Sequence, residues 1–344
     1  MVLVAKAKLY CSSQQDFSEI QTAINTGRRK SGLGDGSSEP LHLWFDNETA
    51  AAIRSLEKAL RIVCGNKSMA LMKMFTNIDS VSYRLAFYYA VLFDLLRRYT
   101  ETFVSSNPTW IKVAKDDDAK IKKTYKDICK DYLLLLTKMS LLVKNLISTD
   151  KTVIHTGDSR RLQLTDQSID GVITSPPYCT RIDYAIYTRV ELALIGYDAK
   201  EFESVRNRMI GTPTILPFDI LSDPELPLLD DLLKRIKGHE TKAAQTYYYK
   251  TYMQYFTSMH ESIAELNRVL RRRSFVTMVL QDSWFKDVHI DLPLLISEMF
   301  RIYGFELASI TTEKSTYNMK HINTPSKNYG EHANSESVIT MKRG

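Results

Sequence analysis

The change of texture near residue 150 constrains this chain more than any other feature. From 46 to 147 the pattern is almost wholly helical, whereas from 152 onward short β-branched runs alternate with helical ones. Residues 152–156 and 168–174 read as strands, 247–270 as a helix, 274–280 as a strand, 292–303 as a helix, and 307–312 and 337–342 as strands. Strands alternating with helices predict an α/β sheet over 151–344.

In the helical part, residues 2–24 place Val4, Ala7, Ile20 and Ile24 at helical spacing, and a polar Gly/Ser-rich loop follows over 26–40. Asp46 is positioned to cap a helix over 47–63, and Asp79 or Ser80 one running to about Phe103. A turn at 105–110 and a charged segment at 115–126 lead into a helix at 132–147. The most apolar runs, 85–96 and 132–147, are interrupted by Asp94 and by Lys138 and Lys144, so both read as core helices rather than bilayer spans. Residues 206–240, with Pro213, Pro217, Pro224 and Pro227, read as a long loop or flap. The expected division is 1–40 as helix and loop, 41–150 as a helical region, and 151–344 as the α/β domain.

A chain of 344 residues can bury a full core. Its net charge of +6 suits a polyanionic partner without requiring one. Cys11, Cys64, Cys129 and Cys179 show no C-x-x-C spacing, which argues against a zinc site or a disulfide framework and fits a reducing cytosol. The first residues lack the layout of a secretory signal.

The chemistry concentrates where Ile169-Asp-Gly-Val-Ile-Thr174 runs into Ser175-Pro176-Pro177-Tyr178. Two consecutive prolines fix φ and remove two backbone N–H donors, leaving carbonyl oxygens without local competitors. With one hydroxyl and one flat ring beside them, the turn either ends the strand or holds a planar group bearing an exocyclic NH₂. Ligands of open α/β sheets sit at the C-terminal ends of strands. Gly157-Asp158 follows the first expected strand as the Ser-Pro-Pro-Tyr turn follows the second. Asp158 suits accepting from a ribose hydroxyl or an adenine amine, or capping the next segment.

Together, Val153-Ile-His-Thr-Gly-Asp-Ser-Arg-Arg-Leu162 and Ser168-Ile-Asp-Gly-Val-Ile-Thr-Ser-Pro-Pro-Tyr178 resemble the amino-group DNA methyltransferases, which use S-adenosylmethionine to methylate cytosine N4 or adenine N6. The resemblance continues through Ile182-Asp-Tyr184, Arg189-Val-Glu-Leu192 and Leu194-Ile-Gly196. Glu265-Leu-Asn-Arg-Val-Leu270, Gln281-Asp-Ser-Trp284, Gly304-Phe305 and the late strand 335–342 resemble later parts of the same fold, and Leu43-Trp-Phe45 with Glu48, and 106–112, resemble segments between its halves. The resemblance implies a Rossmann-like methyltransferase sheet. It implies Ser175 and the Pro176 carbonyl as acceptors for the amine, Pro177 as part of the same turn, and Tyr178 as a stacking ring. Asp158, Ser159 and Thr174 would serve the cofactor, and Arg181, Asp183 and Tyr184 would lie beside the base. Serine at the head of the turn leans towards cytosine N4. The implied partner is double-stranded DNA, with a prokaryotic or phage-encoded, cytoplasmic enzyme of restriction–modification type and no membrane association.

Two departures stand out. The family's Lys-Pro-Gly-Gly is replaced by Arg271-Arg-Arg-Ser274, a patch that faces phosphate or is merely solvated. Arg28, Arg29, Lys30, Lys120, Lys122 and Lys123 invite the same two readings. Sequence recognition is expected from 46–147 and 206–240. The family's Phe-x-Gly-x-Gly cofactor turn has no counterpart after a strand; Gly32-Leu-Gly-Asp-Gly36 is preceded by Asn25-Thr-Gly-Arg-Arg-Lys30. Residues 1–8 resemble the helix after the family's second cofactor-binding strand, so the chain is expected to begin just downstream of those pieces. That predicts a split enzyme, a heterodimer whose second polypeptide carries the Gly-rich motif. The competing expectations are a non-catalytic DNA-binding or assembly subunit, and an RNA or protein amine methyltransferase.

Overall fold

A computed structural model describes residues 1–26, 39–65, 78–143, 152–179, 182–217, 226–314 and 335–344. They fall into two compact units, Met1–Thr156 with Ala185–Ser204, and Gly157–Tyr184 with Val205–Gly344. The first unit therefore takes in a segment from beyond residue 151, and each unit is built from two stretches of chain.

The first unit is helical: α1 (Val2–Lys8), α2 (Gln14–Thr26), α3 (Asn47–Val63), α4 (Tyr83–Tyr99), α5 (Tyr125–Val143) and α7 (Arg189–Leu194), with the short α6 (Tyr184–Tyr187) leading in and α8 (Ala199–Arg208) leading out. Asp46 caps α3 as expected, its carboxylate accepting from the Thr49 N–H at 2.9 Å. The central helix α4 is capped by Ser82, not by Asp79 or Ser80, and ends at Tyr99. Asp79 instead accepts from the amide and hydroxyl of Thr156 at 2.7 and 3.0 Å. α4 is buried on nearly all sides, from Leu85 to Leu96, and packs against α1, α5 and α7. Among the described residues no helix is long and apolar enough to cross a membrane.

Residues 152–156 form no strand. Their β-branched side chains promised one, but Val153 is 72% exposed and the backbone is met by side chains, Tyr83 at the Thr152 carbonyl and Asp79 at Thr156. β-propensity describes a fit to a neighbouring strand, and none is offered here.

The second unit is a mixed α/β structure. β1 (Ile169–Thr174) pairs in parallel with β2 (Leu270–Gln281), which pairs antiparallel with β6 (Ser335–Arg343), itself antiparallel to β5 (Phe305–Lys314). The order is β1-β2-β6-β5, with β1 at one edge. A hairpin of β3 (Ser283–Phe285) and β4 (Val288–Ile290) follows β2. Helices α9 (Pro227–Gly238), α10 (Tyr249–Val269) and α11 (Leu292–Ile302) complete the unit. Strand alternation turns Val276, Met278 and Leu280 of β2, with Ile339 and Met341 of β6, into a core shared with Phe256, Met259 and Ile263 of α10 and Ile296, Met299 and Phe300 of α11.

Residues 206–240 are not one long loop. α9 buries Leu229, Leu232, Leu233 and Ile236, and Pro227 sits in its first turn, where a missing N–H is harmless. The four prolines pointed to a loop, whereas the leucine spacing decides the helix. The chain before it is strapped to α10 and the turn leading into it: Gln254 of α10 accepts from the Leu216 amide and donates to the Thr214 carbonyl, and Tyr247, just before α10, donates to the Pro213 carbonyl.

Candidate active site

β1 ends at Thr174, which lies opposite Met278 of β2. The Ser-Pro-Pro-Tyr turn therefore leaves the C-terminal end of a strand, where open sheets place their ligands. Ser175 is exposed, and its hydroxyl donates to the Val279 carbonyl at 3.3 Å. With the proton so directed, the oxygen lone pairs point elsewhere and are available to accept. Pro176, Pro177 and Tyr178 are half-buried.

The turn is fastened to the rest of the second unit through three elements. The Tyr178 amide donates to the Tyr184 hydroxyl at 3.2 Å. Tyr255 of α10 donates to the Pro177 carbonyl at 2.9 Å. Gly211 adopts φ +80°, and a Cβ there would lie 3.2 Å from the Tyr178 carbonyl oxygen, so this close approach needs glycine. Tyr255 and Gly211 escaped the sequence reading. The available signal was the run of tyrosines over 247–255, since a buried tyrosine brings a hydroxyl that has to find a partner.

Asp183 is held by Arg206 at 2.7 Å, with its side chain only 5% exposed. Its carboxylate thus carries an ion pair within the unit, and the Tyr184 hydroxyl supports the turn. Arg181 lies outside the described residues, as do Arg28, Arg29, Lys30 and the Gly32–Gly36 stretch. Asp158 is gripped by Arg160, whose side chain and amide meet its oxygens at 2.8–3.0 Å. Arg160 in turn reaches the Arg208 carbonyl at 3.4 Å. Residues 206–211 thereby gather Arg160 with Asp158, Asp183 and the Ser-Pro-Pro-Tyr turn. Ser159 shares a hydrogen bond with Ser262 of α10 at 2.9 Å.

Hydrogen bonds from Arg160 hold the Asp158 carboxyl below its ordinary range, against the opposing effect of burial. A carboxyl depressed in the folded state contributes stability above its unfolded value, and that contribution disappears as pH falls through the folded value. Asp158→Asn is therefore expected to lower the urea midpoint above about pH 5, the gap from the parent closing in acid below about pH 4. Midpoints measured across that range check it; a gap that widens in acid contradicts it.

Arg271, Arg272 and Arg273 stand at the start of β2, and Arg271 pairs with Asp170 of β1. The ladder sets residues 271–274 between the levels of Ile169 and Gly171, four to six residues or roughly 13–20 Å from Ser175 along β1. Lys120 pairs with Asp117 at 2.7 Å, and Lys123 lies over the Tyr99 ring. Among the described residues no group of His, Cys, Asp and Glu could hold a metal ion.

No family model matches the chain, and no solved structure matches it. Curated proteins do. The chain is 25% identical over 207 residues to the Type II methyltransferase M.MvaI of Kocuria varians, a match covering 56% of this chain and 44% of that protein. It is 27% identical over 157 residues to M.AvaI of Nostoc sp., covering 41% and 32%, and 42% identical over 49 residues to M.BsoBI of Geobacillus stearothermophilus, covering 14% and 10%. The match thus spans less than half the length of each of these relatives. On sequence, the homologues of this chain are Type II methyltransferases.

Proposed function

We propose that this chain is the base-binding subunit of a site-specific DNA methyltransferase. It moves a methyl group from S-adenosylmethionine to an exocyclic amine of a base flipped from double-stranded DNA, cytosine N4 in preference to adenine N6. The observation that carries this reading is the Ser-Pro-Pro-Tyr turn at the end of β1, with its hydroxyl proton spent on Val279 and its two prolines lacking N–H donors.

An aryl amine is a weak nucleophile because its lone pair is delocalised into the ring. Ser175 Oγ and the Pro176 carbonyl accept its two N–H groups and so favour the pyramidal amine, whose lone pair points away from the ring. Tyr178 stacks on the base, helping to offset the few kcal/mol of extrusion. The turn acts by positioning and fixed dipoles, with no strong base needed before transfer.

S-adenosylmethionine supplies the electrophilic methyl group. The described residues fit the amine better than this donor. Asp158 is engaged by Arg160 and Ser159 by Ser262. No described stretch offers a glycine-rich turn after a strand. We place the donor cradle on a second polypeptide, as the resemblance implies, in a restriction–modification setting suggested by the relatives.

The test is transfer of labelled methyl groups to duplex DNA by the purified chain, alone and with the complementing polypeptide. Transfer only with the complement is expected. Transfer by the chain alone would remove the partner requirement. DNA binding without transfer in every combination would make this a non-catalytic subunit, and transfer to RNA or protein instead would change the substrate.

A further inference from the structure

A turn containing two prolines has a mechanical weakness. Between Ser175 and Tyr178 there is no backbone N–H with which it can anchor itself. The two prolines can be held only through their carbonyls, and the Pro177 carbonyl is where α10 takes hold. Tyr255 is 1% exposed, and its ring packs edge-on against Phe256 with centroids 5.3 Å apart. Burial pushes its phenol well above the ordinary range, Cys179 and Tyr184 adding to the effect, so the hydroxyl remains a donor. Among the described residues no donor engages the Pro176 carbonyl. One carbonyl of the pair is thus spent on the protein and the other is left to a ligand.

We propose that Tyr255 is a positioning residue: by holding the Pro177 carbonyl it turns the Pro176 carbonyl and the Ser175 hydroxyl towards the target amine. This rests on the reading of the turn as amine-binding. Gly211 works from another segment, seating the Tyr178 carbonyl where a side chain would displace it.

Tyr255→Phe keeps the ring and removes only the hydroxyl. Tyr178 bears the first amide after the prolines, so its hydrogen exchange reports on the turn. Loss of one buried hydrogen bond is expected to speed that exchange about five- to tenfold while the amides of β2 keep their protection. In the complemented enzyme, kcat is expected to fall about tenfold with KM for DNA changed less than about twofold. Gly211→Ala should give the same pair of effects, and it decides the matter if Tyr255→Phe fails to fold.

Unchanged exchange at Tyr178, or faster exchange with an unchanged kcat, overturns the proposal. So does loss of protection throughout β2, which would make Tyr255 a core residue only. If Tyr178 exchange rises but the parent protein transfers no methyl group under any condition, the methyltransferase reading fails while the fastening of the turn stands.

Discussion

If the proposed reaction holds, Ser175→Ala is expected to lower methyl transfer by the complemented enzyme by about a hundredfold or more, at nearly unchanged affinity for DNA. The size follows from what the hydroxyl does. Its proton is held by the Val279 carbonyl, and in the proposed reaction its lone pair would meet the amine. Alanine removes that acceptor, and the prolines at 176 and 177 keep the backbone path of the turn. The loss therefore falls on kcat, because pyramidalisation of the amine belongs to the transition state rather than to binding. Tyr178→Ala acts differently. A lost base-stacking contact costs about 1–3 kcal/mol and raises KM for DNA together with lowering kcat. Single-turnover rates for both variants, with DNA binding measured in parallel, check the split. A fully active Ser175→Ala protein would remove the turn from the mechanism.

Glu57→Ala is expected to destabilise the first unit by about 3–5 kcal/mol, a large share of the roughly 5–15 kcal/mol available to a folded domain. Glu57 lies inside α3 with its side chain 2% exposed. Its oxygens face Arg61 at 3.1 Å and Arg54 at 3.8 Å, and the Tyr89 hydroxyl donates to it. Arg54 also pairs with Glu39 at 2.8 Å and donates to the carbonyls of Ala193 and Leu194, which ties α3 to α7 within the unit. Removing the carboxylate takes away the negative charge facing the buried Arg61 guanidinium, whereas Arg54 keeps Glu39. The cost comes from that uncompensated charge rather than from the strength of one ion pair. Urea unfolding followed by tyrosine and tryptophan signals checks it. Glu57→Gln, which keeps the shape, is expected to show the same direction, and a midpoint unchanged in both variants refutes the account.

Much of the fold was legible because its causes are local. The cap at Asp46 lies three residues from the amide it satisfies. Helix α11 and strands β1, β2, β5 and β6 announce themselves through periodicity and branching, each within a residue or a few of its expected bounds. What failed was reading local signals whose outcome depends on a distant partner. Residues 152–156 have the composition of a strand, but Asp79 and Tyr83 claim their polar groups. Residues 226–238 contain a proline that suggests a break, but at the first turn it begins a helix.

The same division runs through the site. By itself the sequence determined the turn: Ser175, Pro176, Pro177 and Tyr178 carry their constraint in their own covalent structure, and β1 delivers them to the end of a strand. Only the tertiary structure decided which oxygens remain for a ligand. Tyr255 lies 78 positions from the Pro177 carbonyl it occupies, and Val279 lies 104 from the Ser175 hydroxyl it orients. A hydrogen bond over such a separation depends on α10 and β2 being packed beside β1, and the pattern of neighbouring residues does not encode that placement. Asp183 and Tyr184 show it most directly. Their residue types were legible in the sequence, but their partners, Arg206 for one and the Tyr178 amide for the other, come from packing.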